Sequence, residues 1–158
     1  MSDDHHELAP RRAQASDADE VDRLYAQLVD SAGIEVRPQR LAELQRSTTA
    51  ALFVVDDERD DGEGLLGTVF VALCPDAMFG HQPFAVVENI VVDSRVRGQG
   101  VGALLLAEVE RFCLAADCSR IMLLSGAERD DAHRFFEAAG YDGDRRLGFV
   151  KYRSAFGG

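Results

Sequence analysis

The sequence lacks long apolar runs, and none approaches the roughly 18 residues that a membrane-spanning helix needs. Its first residues, 1–7, carry acidic groups where a secretion signal would carry basic ones. We therefore expect neither a membrane partner nor a targeting segment. Residues 1–8 are predicted to form a flexible N-terminal tail, in which His5 and His6 are solvated side chains rather than metal ligands.

Cysteine is also scarce. The three cysteines, Cys74, Cys113 and Cys118, are odd in number, show no C-x-x-C spacing and lie within or beside apolar segments. They are predicted to be reduced core thiols in a cytoplasmic protein. The acidic loop 56–64 lacks the residue order of a calcium loop, so we expect a solvated turn there and no metal site.

Positive charge is in deficit, with 17 Lys and Arg residues against 28 Asp and Glu residues and a formal net charge of −11. This balance disfavours nucleic acid as a partner and favours cationic substrates such as amines. The 158 residues, 46% of them apolar, suffice for one globular domain. We assign residues 9–158 to that domain and find no internal repeat.

The apolar periodicity predicts an α/β chain with the element order β-α-α-β-β-β-α-β-α-β. Helices are expected after Ser16, after Pro38, from Gly100 to about Asp117, and over the repeat from Ala132 to Ala139, with Gly140 as its C-terminal cap. The predicted strands are 10–15, 51–55, 65–73, 84–92, 121–124 and 148–154. The fifth is apolar throughout, as is typical of a strand in a parallel pairing.

A glycine-rich turn, residues 95–102, separates the strand 84–92 from the helix that follows. Glycines let a ligand approach the backbone closely, and the free N–H groups at a helix start bind anions, so the turn can cradle a pyrophosphate. Gly98, Gly100 and Gly102 could instead simply shape a tight turn. The spacing fits neither the dinucleotide fingerprint nor a Walker loop.

The run contains R-x-x-G-x-G, with Arg97, Gly100 and Gly102 in the defining places, and resembles the signature of the GCN5-related N-acetyltransferase (GNAT) superfamily. Residues 88–93 resemble the strand that precedes this turn in the superfamily, and residues 129–141 resemble its later helix motif. With residues 148–151, the match is similar to a small bacterial branch that includes aminoalkylphosphonate N-acetyltransferases. The matching stretches cover roughly residues 83–151.

This resemblance implies a single GNAT-type domain. The resemblance also implies a mixed central sheet of six to seven strands, with the fourth and fifth splayed apart, and about four flanking helices. Acetyl-CoA would bind in that gap as co-substrate, with its pyrophosphate on the turn and its pantetheine arm along the fourth strand. The residues implied in cofactor binding are Ile90, Val91, Val92, Arg97, Gly98, Gln99, Gly100, Val101, Gly102, Arg129, Ala132, Phe135 and Phe136. Arg129 could instead complement Asp130 and Asp131.

Glu88 is our candidate general base, acting directly or through one water, because an amine must lose a proton to attack. The alternative is an edge or bulge glutamate bonded to solvent. His81 lies in the segment 75–83, where the acceptor is expected, whereas His133 is expected at the surface or in packing. Phe136 stands where many members have a proton-donating tyrosine, which leaves Tyr141, Tyr152, a water or the amine's own proton for that role.

The expected function is transfer of an acetyl group from acetyl-CoA to a primary amine of a small molecule, directly between two bound reactants. Two alternatives remain open: a non-catalytic acyl-CoA-binding module, and an acetyltransferase acting on protein lysines or N-termini. The expected partners are acetyl-CoA and an amine, with a homodimer as one allowed assembly. Segments 32–47 and 75–83 are expected to select the acceptor.

Overall fold

The computed structural model describes residues 7–30, 32–59 and 64–157. The described residues form a five-stranded sheet in the order β1-β2-β3-β4-β5. Its first four strands are antiparallel, and β5 runs parallel to β4. The strands are β1 Pro10–Arg12, β2 Ala50–Asp57, β3 Gly64–Cys74, β4 Phe84–Val92 and β5 Ile121–Leu123; the α-helices are α1 Ala18–Leu28, α2 Pro38–Arg46, α3 Val101–Ala115 and α4 Asp130–Ala138.

The chain divides into two compact units, the first ending at Leu123 and the second running from Leu124 onward. The whole sheet and helices α1 to α3 belong to the first unit. Helices α1 and α2 cover one face of the sheet, where Val21, Leu24 and Leu41 are buried. Helix α3 covers the other face with Leu105 and Val109. Each strand alternates its side chains between these two cores, as the pleat of a strand requires.

Strand β4 carries a β-bulge at its midpoint. Thr68 lies opposite Val91 and Phe70 opposite Glu88, so two residues of β4, Asn89 and Ile90, face the single residue between Thr68 and Phe70 on β3. Asn89 has φ 55°, a left-handed conformation that asparagine tolerates better than most residues. In a regular strand, residues 88 and 91 would point to opposite faces. The bulge places both on the α1–α2 face.

Helix α3 begins close against the sheet because β3 has a glycine beneath it. A Cβ on Gly67 would lie 3.0 Å from the carbonyl oxygen of Val91 and 3.1 Å from side-chain carbons of Leu105 and Val101. The absence of that Cβ lets the first turn of α3 approach β3 and β4. Gly67 therefore determines how closely the first turn of α3 packs on the strands.

Most predicted elements are confirmed. The fourth strand has its predicted bounds, all four helices are present, and the parallel pairing of the fifth strand is found. The prediction of six to seven strands is wrong. The predicted strand 148–154 forms no ladder in the described structure, where Phe149 is 91% exposed and a short 3₁₀ turn, Arg153–Ala155, follows. A strand exists only when its backbone groups pair, and an apolar pattern does not supply the partner.

The second unit is built around α4. Phe136 is buried at 8% exposure, its ring centroid 5.3 Å from that of Phe135 and 6.2 Å from that of Tyr141. Gly140 follows the helix with φ 95°, and the N–H of Tyr141 donates to the carbonyl oxygen of Phe136. The predicted glycine cap is thus confirmed.

Several predictions concern residues outside the described ranges. His5, His6 and the centre of the acidic loop, 60–63, lie there, as does most of the predicted tail 1–8. Leu8, the last residue of that tail, packs partly buried against the α3-side core. The domain boundaries stay a prediction. The three cysteines are free thiols, and burial raises the pKa of Cys113 to about 12.

No helix in the described ranges combines the length and apolar character needed to cross a lipid bilayer.

Candidate functional site

The glycine turn between β4 and α3 is an open cradle of backbone donors. Gly98 has φ 78° and Gly100, the N-cap of α3, has φ 89°. A Cβ built at either glycine would meet nothing within 4 Å, so the space in front of the turn is free. Among the hydrogen bonds of the described residues, none is donated by the backbone N–H groups of residues 98–102. These orphan donors, at the positive end of the α3 dipole, fit a pyrophosphate.

The second half of β4 adjoins this cradle with one edge open. Strand β5 pairs with β4 only from Ala85↔Ile121 to Val87↔Leu123, whereas β4 continues to Val92. On its other side β4 pairs with β3 from Phe84↔Cys74 to Val92↔Gly67, interrupted by the bulge at Asn89 and Ile90. In the described part of the chain, the β5-side backbone groups of residues 88–92 thus lack a strand partner. An extended chain of amides can pair with such an edge.

Glu88 is exposed on the α1–α2 face, at the start of the open half of β4. It lies directly across from Phe70 and next to Asn89 of the bulge. The side chain of Asn89 shares a hydrogen bond with Tyr25 of α1, and burial raises the pKa of Tyr25 to about 12. Tyr25 therefore stays protonated at neutral pH. The structure brings Glu88 into the same stretch of strand as the predicted cofactor residues Ile90, Val91 and Val92.

The predicted cofactor residues of the first unit differ in which of their groups a ligand can reach. The side chains of Val91 and Val101 are buried, so only their backbone groups can meet a ligand. Gly102 is buried in the first turn of α3. Gln99 and Arg97 are exposed beside the glycines, and Arg97 Nε donates to the Val92 carbonyl oxygen at 3.4 Å.

Asp93, at the end of β4, is a buried carboxylate that sequence reasoning left without a role. Its side chain is 1% exposed, and its oxygens accept hydrogen bonds from Arg95 N at 3.0 Å, from Arg95 Nη2 at 2.8 Å and from Arg23 Nη1 at 2.8 Å. These bonds, from Arg95 first and then Arg23, hold the pKa of Asp93 well below its ordinary value, although burial alone would raise it. The local signal was an Asp directly before a turn, the place of an Asx turn.

The remaining predicted residues belong to other segments of the chain. His81 is exposed in the turn between β3 and β4. In the second unit, Arg129 is exposed just before α4, and Ala132 and Phe135 are half-buried on it. Tyr141 is half-buried and Tyr152 is 75% exposed. His133 Nε2 lies 2.8 Å from the Gly126 carbonyl oxygen, and Asp131 pairs with Arg134.

The sequence pattern of one family extends over most of these elements: the model of the acetyltransferase (GNAT) family matches residues 20–141. The chain belongs to this family. The predicted superfamily and the predicted class of enzyme, an acyltransferase, are confirmed by this membership. No curated protein sequence matches the chain.

Solved GNAT structures share its fold. Glucosamine-6-phosphate N-acetyltransferase from Arabidopsis thaliana is 20% identical, with a TM-score of 0.79 over 93% of this chain and 99% of that one. A putative acetyltransferase from Agrobacterium tumefaciens is 21% identical, with a TM-score of 0.78 over 91% and 99%. The aminoglycoside N-acetyltransferase AAC(6')-Iy, solved with CoA, is 19% identical, with a TM-score of 0.75 over 93% and 95%.

Proposed function

We propose that this GNAT protein is an acetyl-CoA-dependent N-acetyltransferase that moves an acetyl group to a primary amine of a small molecule, by direct transfer between two bound reactants. The observation that carries this proposal is the open cradle of N–H donors at Gly98 and Gly100, continuous with the open edge of β4. A diphosphate joined to an extended amide chain has the shape and chemistry for both parts. Acetyl-CoA is such a molecule, and AAC(6')-Iy was solved with CoA.

In this proposal the pantetheine amides pair with the backbone of Ile90, Val91 and Val92, and the pyrophosphate is held by the N–H groups of Arg97, Gly98, Gly100, Val101 and Gly102. Gln99, which lies within the turn, is a further cofactor residue. Arg129, Ala132, Phe135 and Phe136 of the second unit are the further residues that the family motif assigns to the cofactor. Acetyl-CoA supplies the acetyl group as a thioester, and the protein positions that group for transfer. Much of the rate gain would come from holding the thioester carbon and the amine together.

Glu88 is proposed as the base. The acceptor arrives largely as an ammonium ion and must give up a proton before its nitrogen forms the new C–N bond. An exposed carboxylate beside the open half of β4 can take that proton, directly or through a water. As the C–S bond breaks, the sulfur leaves as a thiolate, which is tolerable because a free thiol has a pKa of about 8.5. Phe136 has no proton to give, so Tyr141, Tyr152, a water or the amine's own proton, which its nitrogen loses after the C–N bond forms, would protonate the sulfur.

The acceptor is proposed to be a small amine, selected by segments 32–47 and 75–83 with His81. Two of the similar structures are N-acetyltransferases of glucosamine-6-phosphate and of aminoglycosides, both small molecules. The motif in α4 adds aminoalkylphosphonates as a finer candidate. The lack of a tyrosine at residue 136 favours a second function, a module that binds acyl-CoA without catalysis.

Titration with acetyl-CoA tests the cofactor site. Gly100→Glu should abolish binding while the fold survives, because the new carboxylate would enter the cradle and repel the pyrophosphate. Gly80→Glu is the matched control, since Gly80 also has positive φ and open space around its Cβ but lies in the β3–β4 turn. Unchanged affinity in a folded Gly100→Glu protein would mean that the cradle is assigned wrongly.

A thiol-release assay over amino sugars, aminoglycosides and aminoalkylphosphonates tests catalysis. Release that depends on one amine class supports the small-molecule enzyme. Tight acetyl-CoA binding without release from any amine favours the non-catalytic module. Mass spectrometry of a treated cell extract detects the third outcome, acetylation of protein lysines or N-termini.

A further inference from the structure

Asp93, just before the glycine turn, connects this turn to helix α1, which lies far away in the sequence. Both of its carboxylate oxygens are used: one accepts from Arg95 N and Nε, and the other from Arg95 Nη2 and from Arg23 Nη1 of α1. The backbone of Asp93 is fixed as well, since its N–H donates to the Leu66 carbonyl oxygen and its own carbonyl oxygen accepts from Val96 N. Both the side chain and the backbone of Asp93, which lies between β4 and the glycine turn, are therefore held by hydrogen bonds.

Arg23 is itself held on two further sides. Its Nε donates to Glu20 Oε2 at 2.7 Å, and its Nη2 donates to the Leu65 carbonyl oxygen at 3.0 Å. Glu20 Oε1 in turn accepts from Leu65 N at 3.0 Å. Through these hydrogen bonds, Arg23 links α1 to the beginning of β3 and to Asp93 before the glycine turn. Planar guanidinium groups suit this use because their donors point in set directions.

A second contact from α1 reaches the next residue, Ser94, which directly precedes the glycine turn. Gln27, one helical turn after Arg23, accepts a hydrogen bond from Ser94 N at 2.9 Å. Residues four apart share a helix face, so Arg23 and Gln27 form hydrogen bonds to residues 93 and 94 from the same face of α1. Helix α1 also carries Tyr25, whose side chain is bonded to Asn89 beside Glu88. Helix α1 therefore contacts both the residues that lead into the glycine turn and the bulge next to Glu88, the candidate base.

We propose that Arg23 and Gln27 are positioning residues for cofactor binding: from α1, through Asp93 and Ser94, they hold the glycine turn in the shape that receives the pyrophosphate of acetyl-CoA. This inference rests on the proposed function. Neither side chain needs to touch the cofactor. Their contribution is to fix the turn before binding, so that the cofactor does not have to order it.

The test measures acetyl-CoA affinity and steady-state kinetics in single variants. Gln27→Met keeps the length of the side chain but removes the acceptor of Ser94 N, and Gln14→Met, at an exposed glutamine between β1 and α1, is the matched control for the same chemical change. Gln27→Met should raise Kd and KM for acetyl-CoA about 5-fold, the effect of one hydrogen bond. Its kcat at saturating acetyl-CoA should stay within about 2-fold of wild type. Arg23→Gln should raise Kd further, because its bond is charge-assisted.

A role in fold stability alone would give the opposite split: a smaller active fraction lowers kcat and leaves KM and Kd unchanged. Hydrogen exchange without cofactor adds an independent readout, in which the amides of residues 94–102 should exchange faster in Gln27→Met than in Gln14→Met. Unchanged Kd in both Gln27→Met and Arg23→Gln overturns the positioning role while the proposed function stands. A wild-type protein that does not bind acetyl-CoA overturns both.

Discussion

Glu88 and Asn89 lie at the β-bulge of β4, and the chemistry proposed for the site depends on how this bulge orients them. The bulge gives Asn89 its φ of 55° and puts Glu88 on the face where α1 and α2 lie. A carboxylate at this place is free to meet an incoming amine. The same exposure also fits a solvated glutamate, so kinetics must decide between the two.

Glu88→Gln should lower turnover by about 10²-fold, the usual loss when a general base is removed, and leave acetyl-CoA affinity nearly intact. The loss should shrink as pH rises, since more of the amine is then already deprotonated. Glu110→Gln, at an exposed glutamate of α3, is the control. Wild-type turnover of Glu88→Gln at neutral pH would return Glu88 to the role of a solvated surface residue.

Asp93 makes stability depend on pH in a direction set by its pKa. Because Arg95 and Arg23 hold its folded-state pKa below the unfolded value of about 3.9, the ionised carboxylate stabilises the fold above that pH. The contribution begins to decline as pH falls below about 5 and is lost only as pH falls through the folded-state pKa. Asp93→Asn should therefore cost about 2 to 4 kcal/mol near neutral pH and less near pH 3.

Thermal melts of Asp93→Asn at the two pH values check this, with Asp19→Asn at an exposed position of α1 as the control. A difference in Tm between wild type and Asp93→Asn that is as large in acid as at neutral pH would contradict the role assigned to the ion pairs.

At the scale of elements, helix α4 has one buried aromatic side chain. Phe136, in the position of the family's common tyrosine, is 8% exposed and packs on Phe135 and Tyr141. A hydroxyl added there would be buried, and it would need a partner.

We expect Phe136→Tyr to lose about 1 to 3 kcal/mol of stability with little change in the rate of thiol release. Phe135→Tyr, at a half-buried neighbour on the same helix, should be tolerated better. Melts and rates on both variants separate the outcomes. A faster Phe136→Tyr enzyme of unchanged stability would instead place this side chain beside the leaving sulfur.

Strand β4 was predictable from sequence because its signal is local: an apolar run follows Pro83 and ends at Asp93, where a glycine turn begins. The glycine cradle was readable for the same reason. The segment 148–154 was misassigned because alternation of apolar residues does not say whether a partner strand is present. Phe149, 91% exposed, shows the consequence.

The parts of the site that sequence reasoning missed depend on distant partners. Arg23 and Asp93 lie 70 residues apart, and neither stands out before the fold brings them within 2.8 Å. The bulge at Asn89 follows from the register of β3 against β4, which the composition of β4 alone does not reveal. Gly67 likewise matters only because Val101 and Leu105 of α3 pack above it.

At the scale of the whole molecule, the net charge of −11 acts on both proposed reactants with opposite sign. An ammonium group is attracted to the protein and the anionic cofactor is repelled, over distances set by the ionic strength. The backbone donors of the glycine turn thus have to bind an anion against the field of the molecule. A concave set of oriented N–H groups can do this because it acts at contact distance, where salt screens little.

Salt should therefore change the kinetics in a way that reports the charge of the acceptor. Raising the ionic strength from about 0.01 M to about 0.3 M shortens the screening length from roughly 30 Å to less than 10 Å. For a cationic amine, kcat/KM should fall severalfold, since long-range attraction is lost. For an aminoalkylphosphonate, whose anionic group outweighs its ammonium, kcat/KM should rise instead. A zwitterionic amino acid serves as the control without net charge, and equal salt dependence for all three acceptors would mean that the net charge has no part in acceptor selection.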